Sequence, residues 1–397
     1  MKKKRVCIIT GSRAEWGLSY PLAKEIKKNK DAFILQIIAT GAHLSRDYGL
    51  TYKEIEMDGF RIDNRVNMFL PGDTEEIIAK SVSLGITKLT STLKSQKPDL
   101  VFLLGDRFEI FSAAVACLFL KIPIAHIHGG ELTLGSLDDT IRHAITKMAH
   151  LHFVSTETYR KRVIQMGETP ERVFDVGALG LDNIANTQLV SKVEFEKKLN
   201  FKLGQRNILI TFNPSTREKK NVSERQFKYL LKAISDLQNT KIIFTNPNAD
   251  MYSICLRKLI DGYISKNMDR AVTFTSLGRK LYLSALQFMD VVAGNSSSGI
   301  IEAPSFSIPT VNIGKRQEGR VKAISVIDAN GDPESIRRAF KKAFSISFKK
   351  KCKNIVNPYG DGNTAAKIIG IVKRLKLTET KKKFFDLNYN SLIQNRR

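Results

Sequence analysis

Cysteine is scarce: 397 residues hold four, Cys7, Cys117, Cys255 and Cys352. They lie far apart and form no Cys-x-x-Cys pair, and three sit in apolar segments. No disulfide framework is expected, and the usage is that of a reduced, cytosolic protein. Long apolar runs are missing as well. No stretch approaches the ~20 residues needed to span a bilayer. The basic start Met1-Lys2-Lys3-Lys4-Arg5 leads only into a short strand-like run before Gly11, too brief for a secretion signal. A cytoplasmic chain without integral membrane contact is expected. Acidic residues are outnumbered, 39 Asp+Glu against 64 Lys+Arg, for a net charge of +25. Such a field attracts polyanions. Lysine is spread along the whole chain, however, and no recognised nucleic-acid motif occurs. The excess therefore reads as solvated surface, with room for a basic site for a diphosphate, and nucleic acid is not an expected partner. Internal repeats and low-complexity tracts are also absent.

What remains is globular: 42% hydrophobic and 26% charged, at a length comfortable for two domains. Short apolar runs alternate with helical patterns. Strands are expected at Val6–Thr10, Phe33–Ala39, Leu100–Leu104 and Ile124–His128, and helices at Leu18–Lys28, Glu109–Leu120 and Asp138–Met148. A polar stretch, Asn186–Gln205, interrupts the rhythm as a linker with a short helix. The alternation then restarts with strands at Asn207–Phe212, Lys241–Thr245, Val272–Phe274, Val291–Ala293 and Thr310–Ile313, and ends in a helix over Asn363–Leu377. This alternation implies parallel sheets covered on both faces. The expected architecture is α/β: two Rossmann-like doubly wound domains facing across a cleft. The first spans 1–185, the second 186–375, and a basic tail 376–397.

Ligands of such sheets bind beyond the carboxyl ends of the strands, so the residues just after each strand matter most. After the first comes Gly11-Ser12-Arg13-Ala14-Glu15, where small residues admit a phosphate and Arg13 offers a forked cation, or which is simply a βα turn. It is not Gly-x-Gly-x-x-Gly, which disfavours a dinucleotide. Later strands lead into Thr40-Gly41-Ala42-His43, into Gly105-Asp106-Arg107, and into His126-Ile127-His128-Gly129-Gly130-Glu131. Arg107 can hold Asp106 or a ligand phosphate. His126 and His128 fall on one side of an alternating strand. Asp138–Arg142 and Asp139–His143 are i,i+4 pairs on a helix. This cluster suits acid–base work on a sugar ring, a transition metal, or a network of caps. In the second half, Gly294-Asn295-Ser296-Ser297-Ser298-Gly299 opens a helix expected to contain Glu302, and makes an anion cradle or a plain turn. One βα unit later stands the cationic loop with Arg316 and Arg320.

Taken together, GSRAE, TGAH, LGDR, HIHGGE, DDTIRH, GNSSSGIIEAPS and RQEGR, in this order over roughly residues 5–330, resemble the hydrolysing UDP-N-acetylglucosamine 2-epimerases of bacterial sialic-acid-type pathways. The resemblance implies a glycosyltransferase-B-type fold and a reaction without NAD, other cofactor or metal. A base removes the sugar C2 proton, UDP leaves C1, and the glycal is hydrated with inversion at C2. It implies acid–base roles for Asp106, Glu131 and Asp138. Nucleotide contacts are implied for Arg13, Ser296, Ser297, Glu302 and Arg316, beside which Arg107, Asn213, Ser298 and Arg320 are further candidates by their place in the same loops, and a homodimer or tetramer is implied as the assembly. Two positions depart from the family pattern. Many relatives read HIEGGE where this chain has His128, so the role of that glutamate falls to His128 or Glu131. Relatives also carry a histidine where Asn213 precedes Pro214, and all six histidines of this chain lie at or before His152. UDP-GlcNAc, giving N-acetylmannosamine for sialic-acid-type sugars, is the first expected substrate. A nucleotide-linked diacetamido-6-deoxy sugar of a legionaminic-acid-type pathway is the alternative, and a glycosyltransferase of the same fold is a further one.

Overall fold

Alternate residues of the first strand enter different cores. In β1 (Lys4–Thr10), Val6 and Ile8 pack with Trp16, Leu22 and Ile26, while Cys7 and Ile9 pack with Leu89, Ile110 and Cys117. A strand buried on both faces must be apolar throughout, and this is why it is legible as a continuous run. The computed structural model describes residues 3–72, 74–134, 137–215, 220–247, 253–375 and 381–387.

β1 is followed by β2 (Phe33–Thr40), β3 (Asn64–Val66), β4 (Leu100–Leu104), β5 (Ile124–Ile127), β6 (Leu151–Val154) and β7 (Val173–Asp175). They form a parallel sheet of order β3-β2-β1-β4-β5-β6-β7. The second sheet holds β8 (Arg206–Thr211), β9 (Thr240–Thr245), β10 (Ala271–Phe274), β11 (Val291–Gly294), β12 (Thr310–Ile313) and β13 (Val326–Ala329), ordered β10-β9-β8-β11-β12-β13 and again parallel. It too is covered on both faces: Ile208 and Ile210 enter one core, Leu209 the other. The expected α/β class with two parallel sheets is therefore what the chain adopts. The strand order reverses between β1 and β4 in one sheet and between β8 and β11 in the other, and at such switch points ligand crevices open.

By its contacts the chain divides into two compact units. One comprises Met1–Glu131, Thr140–Leu179 and Thr364–Arg397; the other comprises Leu132–Asp139 and Gly180–Asn363. The helix Thr364–Arg374 follows the second sheet in sequence, and the sequence placed it there. Its Ala365, Ile368, Ile369 and Val372 instead pack with Val6, Ile8 and Leu22 of the first unit. Lys4 donates its Nζ to the carbonyls of Val372 at 2.9 Å and Leu375 at 2.7 Å, a cation satisfying orphan groups at a helix C-terminus. The stretch at Asn186–Gln205 is likewise part of a core. Ser191 caps the helix Lys192–Leu199, and Phe195 and Leu199 pack with Leu209, Ile243 and Leu286. The first helix, Arg13–Lys28, begins before Leu18 because the Ser12 side chain caps it, accepting from the Glu15 N–H.

Part of the basic tail, 376–380 and 388–397, lies outside the described residues. The segment between docks on the first unit. Phe385 donates its N–H to the Gly167 carbonyl at 2.9 Å, and Lys382 reaches Glu168 at 2.8 Å. Glu168 also accepts from Lys147 at 2.6 Å and faces His152 Nε2 at 2.9 Å. Burial opposes ionisation of Glu168, but His152 and the two lysines outweigh it and bring the carboxyl down to about 2. Its contribution to stability is therefore present above the ordinary carboxylate value of 4.5 and lost as pH falls through about 2. Lys382→Met is expected to cost about 1 kcal/mol at neutral pH and to move the acid-unfolding midpoint to higher pH. Equilibrium unfolding followed by circular dichroism from pH 7 to 2 checks this; an unchanged midpoint contradicts it.

Candidate active site

Three loops at the carboxyl ends of β1, β2 and β4 close over two buried glutamates. Glu15 accepts from the Gly11 N–H at 2.6 Å, and Ser12 and Glu15 together tie down the helix start. Glu109 is completely buried, and a Cβ on Gly41 would lie 2.5 Å from its Cγ, on a backbone with φ of +56°. Only glycine fits there. Arg107 donates its Nε to Glu109 at 3.3 Å and stands 3.9 Å from Glu15. Burial and the neighbouring Glu109 push the Glu15 carboxyl up to about 8, against the pull of Arg107. His43 spends both ring nitrogens on hydroxyls, Thr10 at 3.0 Å and Thr51 at 2.9 Å, and burial brings it down to about 4. It is a neutral strut. Arg13 follows the same β1 turn, its guanidinium pKa lowered by burial against the pull of Glu54.

Of the two partners open to Arg107 in the sequence, Asp106 is not the one it takes among the described residues. Its carboxylate meets the guanidinium of Arg142, a residue only 2% exposed. Arg142 also donates to the main-chain carbonyl of Glu131 at 2.7 Å, so one buried cation ties the loop after β4 to the loop after β5. Asp138 stands one turn ahead of Arg142 at the start of the helix Asp138–Met148, and Asp139 accepts from the Thr133 N–H at 2.6 Å.

The expected sharing of one strand face by His126 and His128 is corrected. β5 ends at Ile127, and His128 has φ of +65°, so the chain turns there instead of alternating. His126 is wholly buried, with Nδ1 3.1 Å from the Thr146 hydroxyl and Nε2 2.8 Å from the Gly105 carbonyl. Burial brings it down to about 3, and neither nitrogen is left for a ligand. His128 Nδ1 instead meets Glu131 Oε1 at 2.6 Å, and Ser155, after β6, donates to the same oxygen at 2.8 Å. Ser155 was not foreseen, because the short strand before it, β6, was not expected. Among the described residues, no group of three or more His, Cys, Asp or Glu side chains is arranged to hold a metal ion.

In the second unit the loops after β8 and β11 flank that sheet's switch point. A Cβ on Gly294 would lie 2.0 Å from the Thr211 carbonyl, so the turn requires glycine. Asn295 then accepts from the Asn213 N–H at 2.7 Å and returns an amide N–H to the Asn213 carbonyl at 2.8 Å. The Asn295 carbonyl in turn receives Arg316 at 3.2 Å and Gln317 at 2.8 Å. Ser296, Ser297 and Ser298 are half-buried. The helix they open, Ser298–Ile301, is only four residues long. Glu302 therefore lies past its end and not within it, because Pro304 follows in a 3-10 turn. Glu302 hydrogen-bonds Ser298, which also receives Tyr282 Oη at 2.6 Å, and burial raises both the Glu302 carboxyl and the Tyr282 hydroxyl. Arg320 lies half-buried in the loop after β12. The sequence thus named Ser298 and Arg316 but missed Asn295, Gln317 and Tyr282, which position them.

Two parallel sheets of this order, with polar loops at each switch point, define a two-domain α/β protein of glycosyltransferase-B-like fold. The chain belongs to the UDP-N-acetylglucosamine 2-epimerase family, whose model matches residues 24–373. It is 44% identical over 350 residues to the GDP/UDP-N,N'-diacetylbacillosamine 2-epimerase (hydrolyzing) of Campylobacter jejuni, covering 88% of this chain and 90% of that protein. It is 36% identical to the polysialic acid biosynthesis protein P7 of Escherichia coli, with 97% and 98% covered. It is 35% identical to the UDP-N,N'-diacetylbacillosamine 2-epimerase (hydrolyzing) of Legionella pneumophila, with 94% and 97% covered. The fold matches the crystal structure of UDP-GlcNAc 2-epimerase from Neisseria meningitidis bound to UDP-GlcNAc with a TM-score of 0.79 at 20% identity, over 94% of this chain and 100% of that one.

The raised carboxyl of Glu15 has a measurable consequence. A folded-state value near 8, above the ordinary 4.5, gives stability that is full below pH 4.5 and lost as pH rises through about 8. Glu15→Gln, which still accepts from Gly11, is expected to flatten this dependence and to melt higher than wild type at pH 8.5. Thermal melts at pH 5 and pH 8.5 decide; equal pH dependence in both proteins contradicts it.

Proposed function

We propose that the chain hydrolyses a nucleotide-linked 2,4-diacetamido-6-deoxy sugar, UDP- or GDP-N,N'-diacetylbacillosamine, with inversion at C2, giving 2,4-diacetamido-2,4,6-trideoxymannose and the nucleoside diphosphate. The observation that carries this is the 44% identity to the Campylobacter jejuni protein of that name. It reverses the order of substrates expected from sequence. UDP-GlcNAc, giving N-acetylmannosamine, is the second reading, favoured by the description of the matching family.

The chemistry is an elimination followed by a hydration. A base takes the C2 proton, the C–H electron pair becomes the C1=C2 bond, and the C1–O pair leaves with the diphosphate. Water then supplies a hydroxyl to C1 while an acid supplies a proton to the opposite face of C2. No NAD or metal is required. We assign the proton transfers to Asp106, Asp138 and the His128–Glu131 pair of the loops after β4 and β5. The diphosphate and ribose fall to Arg13, Ser296, Ser297, Ser298, Glu302, Arg316 and Arg320, with Asn213 and Arg107 supporting. Stabilising the charge on the departing diphosphate is the largest catalytic term in such reactions, and preorganised guanidinium groups and hydroxyls suit it.

The test is to incubate the purified protein with each nucleotide sugar in deuterated water. Release of free sugar carrying deuterium at C2, with kcat/KM at least tenfold higher on the diacetamido substrate, is expected. Faster turnover of UDP-GlcNAc would move the assignment to the second reading, and a product without C2 deuterium would overturn the glycal route.

A further inference from the structure

His128 and Glu131 are both candidates for one proton-transfer role, and the geometry distinguishes them. Glu131 Oε1 already takes two hydrogen bonds, from Ser155 at 2.8 Å and from His128 Nδ1 at 2.6 Å, and Glu131 is 2% exposed. A carboxylate only accepts, so opposite Glu131 the His128 Nδ1 is the donor, and in the neutral tautomer this leaves the lone pair on Nε2. That Nε2 is buried without a hydrogen-bond partner among the described residues. The contrast with His126 is direct: there both nitrogens are used by the fold.

The backbone gives a second, independent sign. His128 is a non-glycine residue at φ of +65°, held there by its own N–H donating to the Phe153 carbonyl at 3.0 Å. Residues in this region concentrate at functional sites, where surrounding structure fixes a conformation the residue alone disfavours. The following Gly129 and Gly130 are crowded as well: a Cβ on Gly130 would lie 2.7 Å from the Tyr159 carbonyl. The turn around the imidazole is therefore tightly built, and Arg142 anchors its far end at the Glu131 carbonyl.

Resting on the epimerase reading above, we propose that His128 is the catalytic base that removes the C2 proton, and that Glu131 is a positioning residue that fixes its tautomer. Nε2 takes the proton, the C–H pair forms the C1=C2 bond, and the diphosphate departs with the C1–O pair. The imidazolium is stabilised by the Glu131 carboxylate and releases its proton to solvent. Hydration then consumes one water, whose hydroxyl goes to C1 and whose proton recharges the acid that protonates C2. Imidazole is an intrinsically stronger base than carboxylate near neutral pH, so the histidine suits this half of the reaction.

The experiment compares His128→Gln, His128→Gly and Glu131→Gln with wild type, measuring turnover, C2 deuterium incorporation and UDP binding. Both His128 variants should bind UDP as wild type does and lose 10²- to 10⁴-fold in kcat, the size of a general-base contribution. Added imidazole should restore turnover and C2 deuterium to His128→Gly, a rescue that a merely structural residue does not give. Glu131→Gln still offers an acceptor to Nδ1, and should lose about tenfold in kcat with KM unchanged. Wild-type turnover in His128→Gln, or complete loss in Glu131→Gln beside an active His128→Gln, overturns the proposal and hands the proton to Glu131. A wild type inactive on every nucleotide sugar overturns the epimerase reading, and the proposal with it.

Discussion

One buried cation organises the loops after β4 and β5 in the first unit. Arg142 neutralises Asp106 after β4 and holds the Glu131 carbonyl after β5, so two strand ends are fixed by one planar fork. Removing a partner from a buried pair leaves an unpaired charge, a cost of several kcal/mol. With Arg142 in place, Glu131 can face Ser155 and His128, and His128 can hold its strained turn. The residue earns this role through its geometry, since a lysine cannot reach two acceptors in a fixed plane.

A second buried system lies beside it and does a different task. Glu15 and Glu109, with Arg107 between them, fill the space beneath the glycines at positions 11 and 41. Burial and the neighbouring Glu109 oppose ionisation of Glu15, which is why its carboxyl rises to about 8. In the second unit the corresponding task is carried by neutral groups. The paired amide and backbone of Asn213 and Asn295 set the loops, and Arg316 and Gln317 attach to the same carbonyl.

Much of the fold was legible because its inner strands are buried on both faces and so are continuously apolar. The strands that escaped were short or marginal: β3, β6, β7 and β13 have three or four residues each. β6 also carries His152, whose polarity masks the strand until Glu168 is seen to satisfy it. For the site, position in the chain was legible and partnership was not. Asp106, His128 and Glu131 were recognisable because they follow strands. That Arg142, not Arg107, meets Asp106 depends on how the helix Asp138–Met148 lies against the sheet, which no local spacing reveals. Glu109 was given no role beyond opening the expected helix; only the glycine loops packed on it show that it is buried. Glu302 was misplaced because a four-residue helix and its stop at Pro304 are too brief for a periodic signal.

If the loops tied by Arg142 carry the proposed proton transfers, Arg142→Lys must slow turnover without loosening the nucleotide. Steady-state kinetics of this variant on the nucleotide sugar, with UDP affinity measured alongside, should show kcat reduced at least a hundredfold and UDP affinity within about twofold of wild type. A kcat equal to that of wild type in Arg142→Lys would refute the proposed role.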